Sequence, residues 1–402
     1  MSLTIAILGL TFLILVHEAG HFLASLAIGL RPRKFYVGFP PALVKTRRGG
    51  IEYGIGAIPL GGFVSIPGMH RPIAHDVERR FYPAVSEAPA LTGPVDRVKR
   101  LVEEDDFGAT LAALDDLEQA LGRHELSANA ASRAGKGLTE LRDGLGSDAY
   151  WKAATWKRLI AIAAGPAANI VLALVVYTLL FTMVGGPPSR MVASVAEDSP
   201  AQAAGVRAGD RIVAMDGTPV NGEEVGQRVL ESEGRPLVLT VVRDGKAIDL
   251  PRVAPALTDG GYRIGIVREG TGLALPDAAW RSVEMTGLVT REIVKAIGGL
   301  AAGQGRENVA SPIGIAQVSS DAVDQGKEQF LWVLGLISLS LALLNLLPLL
   351  PLDGGHLLFT LIEGARGRFV KREVYERVSV VGLAIVLLLF VVGLSNDIGR
   401  LS

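Results

Sequence analysis

The chain has 402 residues, 49% of them hydrophobic, a mean hydropathy of +0.36 and a formal net charge of -1 at pH 7. A near-neutral chain carries no basic footprint for a polyanion, so nothing points to a nucleic-acid partner. It has no cysteine, which excludes disulfide frameworks, thiolate metal sites and cysteine nucleophiles.

The apolar residues gather into four runs, Leu3–Leu30, Leu159–Val184, Phe330–Leu350 and Tyr375–Leu394. Each is close to the ~20 residues that a helix needs to cross a bilayer. The pattern is that of a polytopic α-helical membrane protein with about four transmembrane helices, its partner surface being the lipid bilayer. The first run is not a good signal peptide, because Met1–Val16 has no Lys or Arg for a positive n-region. Basic residues flank one side of the spans: Arg31, Arg33 and Lys34, then Lys152, Lys157 and Arg158, then Arg366, Arg368, Lys371 and Arg372. The opposite flanks carry little beyond Arg190 and Lys327. This asymmetry predicts extracytoplasmic termini and cytoplasmic 31–158 and 364–374 loops.

Inside the first run stands Val16–Phe22, VHEAGHF. On a helix His17 and His21, four apart, share one face and can grip one metal ion. Glu18 lies beside them as a candidate general base for a water acidified by zinc. Ionisable residues within a spanning segment are costly and functional by default; the bland alternative is a polar helix end that snorkels to the surface.

Phe35–Met69 is glycine-rich with alternating apolar residues, and Ile51–Ile66 reads as a β-hairpin or a re-entrant loop leaning on the helices. Residues 71–150 carry apolar residues at helical spacing in Asp96–Glu104 and Phe107–Arg123, then a small, polar stretch at Ser127–Ser147. They read as a cytoplasmic helical insertion, most simply a solvated helical hairpin. Residues 188–270 read as short strands and turns, with Asp216-Gly217 and Asp244-Gly245 as hairpin signals. SPAQAAGVRAGDRIVAMDGTPV (199–220) resembles the core of a PDZ domain, a module that binds extended peptides by strand addition. Tyr262–Val267, YRIGIV, with Gly265, reads either as the strand lining such a peptide groove or as a plain edge strand. Trp280–Leu300 has the pattern of an amphipathic surface helix.

The third run ends in Asn345–His356, NLLPLLPLDGGH. Asp353 is the only acidic residue between Phe330 and Ile362. Pro348 and Pro351 break helical hydrogen bonding there, and Gly354 and Gly355 let the backbone turn. A carboxylate at this point can complete a His₂Asp set for Zn²⁺, with His356 as an alternative ligand or as a residue supporting a ligand. Zn²⁺ with ionised Asp353 and Glu18 sums to zero charge, which eases burial.

Taken together, HEAGH, LDGG, GPAAN (Gly165–Asn169), VGFPP (Val37–Pro41), SPIGIA (Ser311–Ala316) and the PDZ-like stretch resemble the site-2 proteases, bacterial intramembrane zinc metalloproteases. The resemblance covers nearly all of the chain except about 71–150. It implies Glu18 as base and His17, His21 and Asp353 as zinc ligands. It also implies Asn345 as a polar residue touching substrate, with helix–helix bonding as its alternative role. The 51–66 hairpin, with Gly61 and Gly62, would receive the substrate as an added strand. The expected substrate is a single-span membrane protein, such as an anti-sigma factor, already shortened by another protease, in a bacterial cell membrane.

The expected organisation is a first transmembrane helix at 1–30, a membrane-associated β-hairpin region at 31–70, the insertion at 71–150 and a second span at 151–187. An extracytoplasmic PDZ domain follows at 188–270, an extracytoplasmic amphipathic region at 271–329, a third span at 330–363, and a cytoplasmic loop with the fourth span at 364–402. Two rival classes are a membrane-bound PDZ adapter with a structural metal site and a metal transporter. A structural site needs no base such as Glu18. A transporter needs a chain of intramembrane acids and histidines that these spans lack outside the two motifs.

Overall fold

The computed structural model describes residues 1–69, 71–186, 188–258 and 261–401. In chain order the elements are α1 (Ser2–Ala27), β1 (Lys34–Arg48), β2 (Ile51–Ser65), α2 (Ala74–Glu87), α3 (Thr92–Glu103), α4 (Phe107–Leu121), α5 (Ala128–Leu145) and α6 (Thr155–Val184). There follow β3 (Pro188–Val195), α7 (Pro200–Ala203), β4 (Arg211–Met215), β5 (Thr218–Pro219), α8 (Gly222–Glu231), β6 (Leu239–Arg243), β7 (Lys246–Asp249), β8 (Ala256–Thr258), β9 (Gly261–Arg263) and β10 (Ile266–Gly270). The chain ends with α9 (Leu275–Ala301), α10 (Pro312–Gln325), α11 (Lys327–Asn345), α12 (Asp353–Arg366) and α13 (Arg372–Leu401).

Among the described residues, four helices are long and apolar enough to cross a membrane: Ser2–Ala27, Thr155–Val184, Lys327–Asn345 and Arg372–Gly399. They fall on the four apolar runs. The third run is not one helix to its end. α11 stops at Asn345 and α12 restarts at Asp353. Pro348 and Pro351 lie between, where neither can donate the backbone hydrogen bond that a continuous helix requires.

The chain divides into two compact units. One comprises Met1–Leu172, Ile293–Asp321 and Ile337–Ser402; the other comprises Ala173–Glu292 and Ala322–Leu336.

In the first unit the 71–150 region is more than a solvated hairpin. Helices α2 to α5 enclose their own core, with Phe81, Leu91, Val98, Leu114, Leu117 and Leu141 all at most 2% exposed. Ser127–Ser147 contains α5, capped by Ser127, whose hydroxyl accepts from the Ala130 N–H at 3.2 Å. Small residues at helical spacing let α5 approach closely: a Cβ on Gly137 would stand 3.3 Å from the Phe81 ring. Low hydrophobicity hid this helix from the sequence reading, because Ala and Gly bury surface without announcing it. Ion pairs tie the helical region to its neighbours. Arg33 meets Asp143 and Asp148, both at 2.9 Å, and Arg372 meets Asp76.

β1 and β2 form a sheet larger than the expected hairpin. Arg48 to Ala42 pairs with Ile51 to Gly56 around Gly49-Gly50, whose φ values of 58° and 82° favour glycine. Lys34–Val37 is flanked on both sides by β2, since Val37 lies opposite both Ile55 and Gly62. The last part of β2, Gly62–Ser65, therefore lies on the far side of Lys34–Val37.

In the second unit, strands run in the order β10-β3-β4-β6-β7. The Asp-Gly pairs turn as their sequence predicts, with φ of 48° and 75° at Asp216-Gly217 and of 50° and 77° at Asp244-Gly245. Ile212, Met215, Leu239 and Val241 fill the core with Val225 of α8. The strand-and-turn reading missed α8, although a capping box marks it: Asn221 Oδ1 accepts from the Glu224 N–H at 2.9 Å, and Glu224 returns the bond at 2.8 Å. YRIGIV is not one strand. It breaks at Ile264-Gly265, where the Ile264 and Gly265 carbonyls accept from the Ala201 and Ala196 N–H groups, both at 2.8 Å.

Candidate metal centre

The two histidines of α1 stand one turn apart and face the first residue of α12. His17 Nε2 lies 3.1 Å from Asp353 Oδ2 and 3.3 Å from His21 Nε2, and His21 Nε2 lies 3.3 Å from Asp353 Oδ2. Zinc bonds of about 2.0–2.1 Å in a tetrahedral arrangement separate ligand atoms by about 3.3 Å. Two imidazoles and a carboxylate at these spacings therefore fit one zinc ion and leave its fourth position open.

Local sequence explains each placement. α12 begins at Asp353, whose carboxylate sits where the helix dipole favours negative charge. The next two positions must be glycine. A Cβ on Gly354 would strike the Leu346 and Leu347 carbonyls, and one on Gly355 would lie 2.7 Å from the Leu349 carbonyl carbon. Side chains there would push α12 off the preceding segment and withdraw Asp353.

α1 meets α6 through small residues. A Cβ on Gly20 would come within 2.8 Å of Ala168 Cβ, and one on Gly165 within 2.6 Å of His21 Cε1. This close crossing lets His21 Nδ1 donate to the Ala161 carbonyl at 2.8 Å. A carbonyl only accepts, so the His21 proton is on Nδ1 and the Nε2 lone pair faces the cluster. On the same helix the buried Asn169 amide lies 3.5 Å from His17 Nδ1.

Glu18 lies against the far part of β2. A Cβ on Gly62 would stand 2.8 Å from Glu18 Cγ and 2.7 Å from the Tyr36 carbonyl oxygen. Gly61, at φ 144°, precedes this contact. Asn345 ends α11 with its Nδ2 donating to the Leu341 carbonyl at 3.0 Å. His356, the alternative ligand, is outside the group of three and stacks towards Tyr375, with ring centroids 6.2 Å apart. Gly265 belongs to the other unit, where a Cβ on it would strike the Ser199 side chain.

Sequence reasoning singled out the three ligand candidates and Glu18 but not Gly20, Ala161 or the contact roles of Gly165 and Asn169. The signal was present in the small-residue spacing of α1 and α6, which marks close helix crossing. It does not say which helices cross.

These features define a membrane-embedded metalloprotease. A model of peptidase family M50 matches residues 5–389, and the chain belongs to that family, the site-2 proteases. A protein of Agrobacterium fabrum is 31% identical over 98% of this chain and 95% of its own. Zinc metalloprotease RasP of Geobacillus kaustophilus is 28% identical over 96% and 95%. Zinc metalloprotease Rip1 of Mycobacterium tuberculosis is 29% identical over 87% and 83%. The PDZ domain of an SdrC-like protein from Listeria innocua aligns with 20% of this chain and 92% of its own at 27% identity, but its TM-score of 0.18 is too low to argue fold from. The protein is thus an intramembrane zinc metalloprotease with Zn²⁺ as cofactor, acting on membrane-protein substrates.

Proposed function

We propose that His17, His21 and Asp353 hold the zinc and that Glu18 is the general base for hydrolysis of a peptide bond within a transmembrane segment. The observation that carries this reading is the mutual spacing of the three donor atoms, 3.1–3.3 Å, with Glu18 next to His17 in sequence. Bound there, zinc supplies a Lewis acid that polarises the scissile carbonyl and acidifies the attacking water. The Glu18 carboxylate takes the proton of that water and returns it to the leaving amine.

A helical substrate must first be unwound, and its freed N–H and C=O groups need partners. The Gly62–Ser65 part of β2 offers them: it pairs with Lys34–Val37 on one side, and no strand pairs with its other side among the described residues. Gly61 and Gly62 keep that edge open to a substrate backbone. Asn345 contacts the substrate from the end of α11.

The substrate is a single-span regulatory protein, such as an anti-sigma factor, shortened beforehand by another protease. The enzyme resides in a bacterial cell membrane with both termini outside and the 71–150 helices in the cytoplasm. Residues 188–270 form an extracytoplasmic PDZ-type unit whose edge strand β10, entered through Gly265, binds or screens substrate.

The test compares the unaltered enzyme with Glu18→Gln on a membrane-embedded substrate while measuring zinc. Retained zinc with lost cleavage supports the assignment. Retained cleavage removes Glu18 as the base, whereas a zinc-loaded unaltered protein that cleaves nothing favours the adapter with a structural metal.

A further inference from the structure

The GPAAN run is conspicuous in the sequence, and the mechanism above does not use it. In the structure its first and last residues face the two histidines. Gly165 leaves room for the His21 ring. Asn169, 0% exposed, lies beside His17. Its main-chain carbonyl accepts from Ser338 Oγ at 2.8 Å, which seats this turn of α6 against α11. Its side-chain Nδ2 is 3.5 Å from His17 Nδ1, and its Oδ1 has no hydrogen-bond partner among the described residues.

Amide oxygen and nitrogen have nearly the same shape, so chemistry decides which of them faces the ring. His17 Nε2 stands among the ligand atoms of Asp353 and His21. To bind a metal it must present a lone pair, and a neutral imidazole then carries its proton on Nδ1. An N–H cannot accept from the amide Nδ2. It requires an acceptor, and a half-turn of the Asn169 amide supplies one.

We infer that Asn169 Oδ1 accepts the His17 Nδ1 proton and so fixes the tautomer and orientation in which Nε2 faces the metal. Asn169 is a positioning residue, acting through His17. His21 has the matching arrangement with a main-chain partner, the Ala161 carbonyl. One stretch of α6, Ala161–Asn169, therefore orients both imidazoles. Partners of this kind are worth about 10–100-fold in metal affinity. The inference rests on the assignment of His17 as a ligand.

The experiment uses the full, zinc-loaded protein in detergent. Chelator competition measures zinc affinity in the unaltered protein, Asn169→Leu and Asn169→Asp. The leucine has no acceptor, and the carboxylate is an acceptor that cannot donate. The expected result is a fall of about 10–100-fold for Asn169→Leu and substantially restored affinity for Asn169→Asp. Unaltered affinity in Asn169→Leu overturns the role, and so does an Asn169→Asp protein as weak as the leucine variant. The unaltered enzyme gives a readout independent of any variant's folding. In ¹⁵N-histidine-labelled protein, His17 must show a protonated Nδ1 and an unprotonated Nε2, and the reverse pattern overturns the inference. His17→Ala separates the two assignments: zinc lost there but held at full affinity in Asn169→Leu removes the positioning role alone.

Discussion

Asp353 Oδ2 lies 3.1 Å from His17 Nε2, although 336 positions separate the two residues in the chain. An Asp and a His this close, with a second His at 3.3 Å from each, form a compact donor set that a dication satisfies. Purified protein is expected to hold about one zinc per chain. His17→Ala, His21→Ala and Asp353→Ala should each lower that content, measured by elemental analysis. Full zinc in Asp353→Ala would remove the carboxylate from the ligand set.

Glu18→Gln keeps the size of the side chain but removes its basicity. Cleavage of a membrane substrate should fall by about 10²–10⁴-fold, the usual worth of a general base, with zinc content unchanged. Activity near that of the unaltered enzyme would rule out Glu18 as the base.

Gly165→Ala is a one-methyl change with a specific target. The added carbon would lie 2.6 Å from His21 Cε1 on a helix whose backbone is close to α1. The ring must shift, so zinc affinity and cleavage should both drop at least tenfold, the low end for disturbing a metal ligand's support. Gly135→Ala on α5 is the control, because a Cβ there meets nothing within 4 Å. It should leave activity intact and raise stability by about 0.5–1 kcal/mol, the usual helix preference of Ala over Gly. Equal behaviour of the two variants would deny the close crossing.

The charge asymmetry of the flanks predicts the orientation in the membrane. With no cysteine of its own, the chain suits single-cysteine labelling. A cysteine at exposed Lys246 should react with an impermeant reagent from the outer side, and one at exposed Arg123 only after the cytoplasmic side is opened. The opposite pattern would invert the orientation.

Acid should weaken the second unit through Asp210. Its carboxylate accepts from Arg243 at 2.7 and 2.8 Å and from the Arg207 N–H at 2.8 Å, and the Arg243 guanidinium foremost holds its pKa below the usual carboxylate range. A lowered folded-state pKa gives stability that is present above the unfolded value and lost as pH falls through the folded one. Hydrogen-exchange protection factors at β4 and β6 of the full chain should therefore fall below about pH 4. In Asp210→Asn protection should be lower throughout and this component of the pH dependence absent. An unchanged acid response would show that other groups set it.

The sequence by itself determined what depends on local pattern. Four apolar runs of bilayer length became helices, Asp-Gly pairs became tight turns, and the four-residue spacing of His17 and His21 put both rings on one face of α1. Such features follow from helical period, backbone φ preference and the cost of burying charge, and each is read within a few residues. The tertiary structure decided what depends on chain closure. It brought Asp353 to those rings and turned His356 towards Tyr375. It laid Gly62 against Glu18 and flanked Lys34–Val37 with β2 on both sides. It crossed α1 with α6 so that Gly165 and Asn169 meet the two histidines. It also gathered weakly hydrophobic α5 into a buried core. No periodicity encodes these pairings, because a residue's burial preference states that it will be covered but not by what. The covering partner is fixed only when distant segments pack together and their close contacts exclude the alternatives.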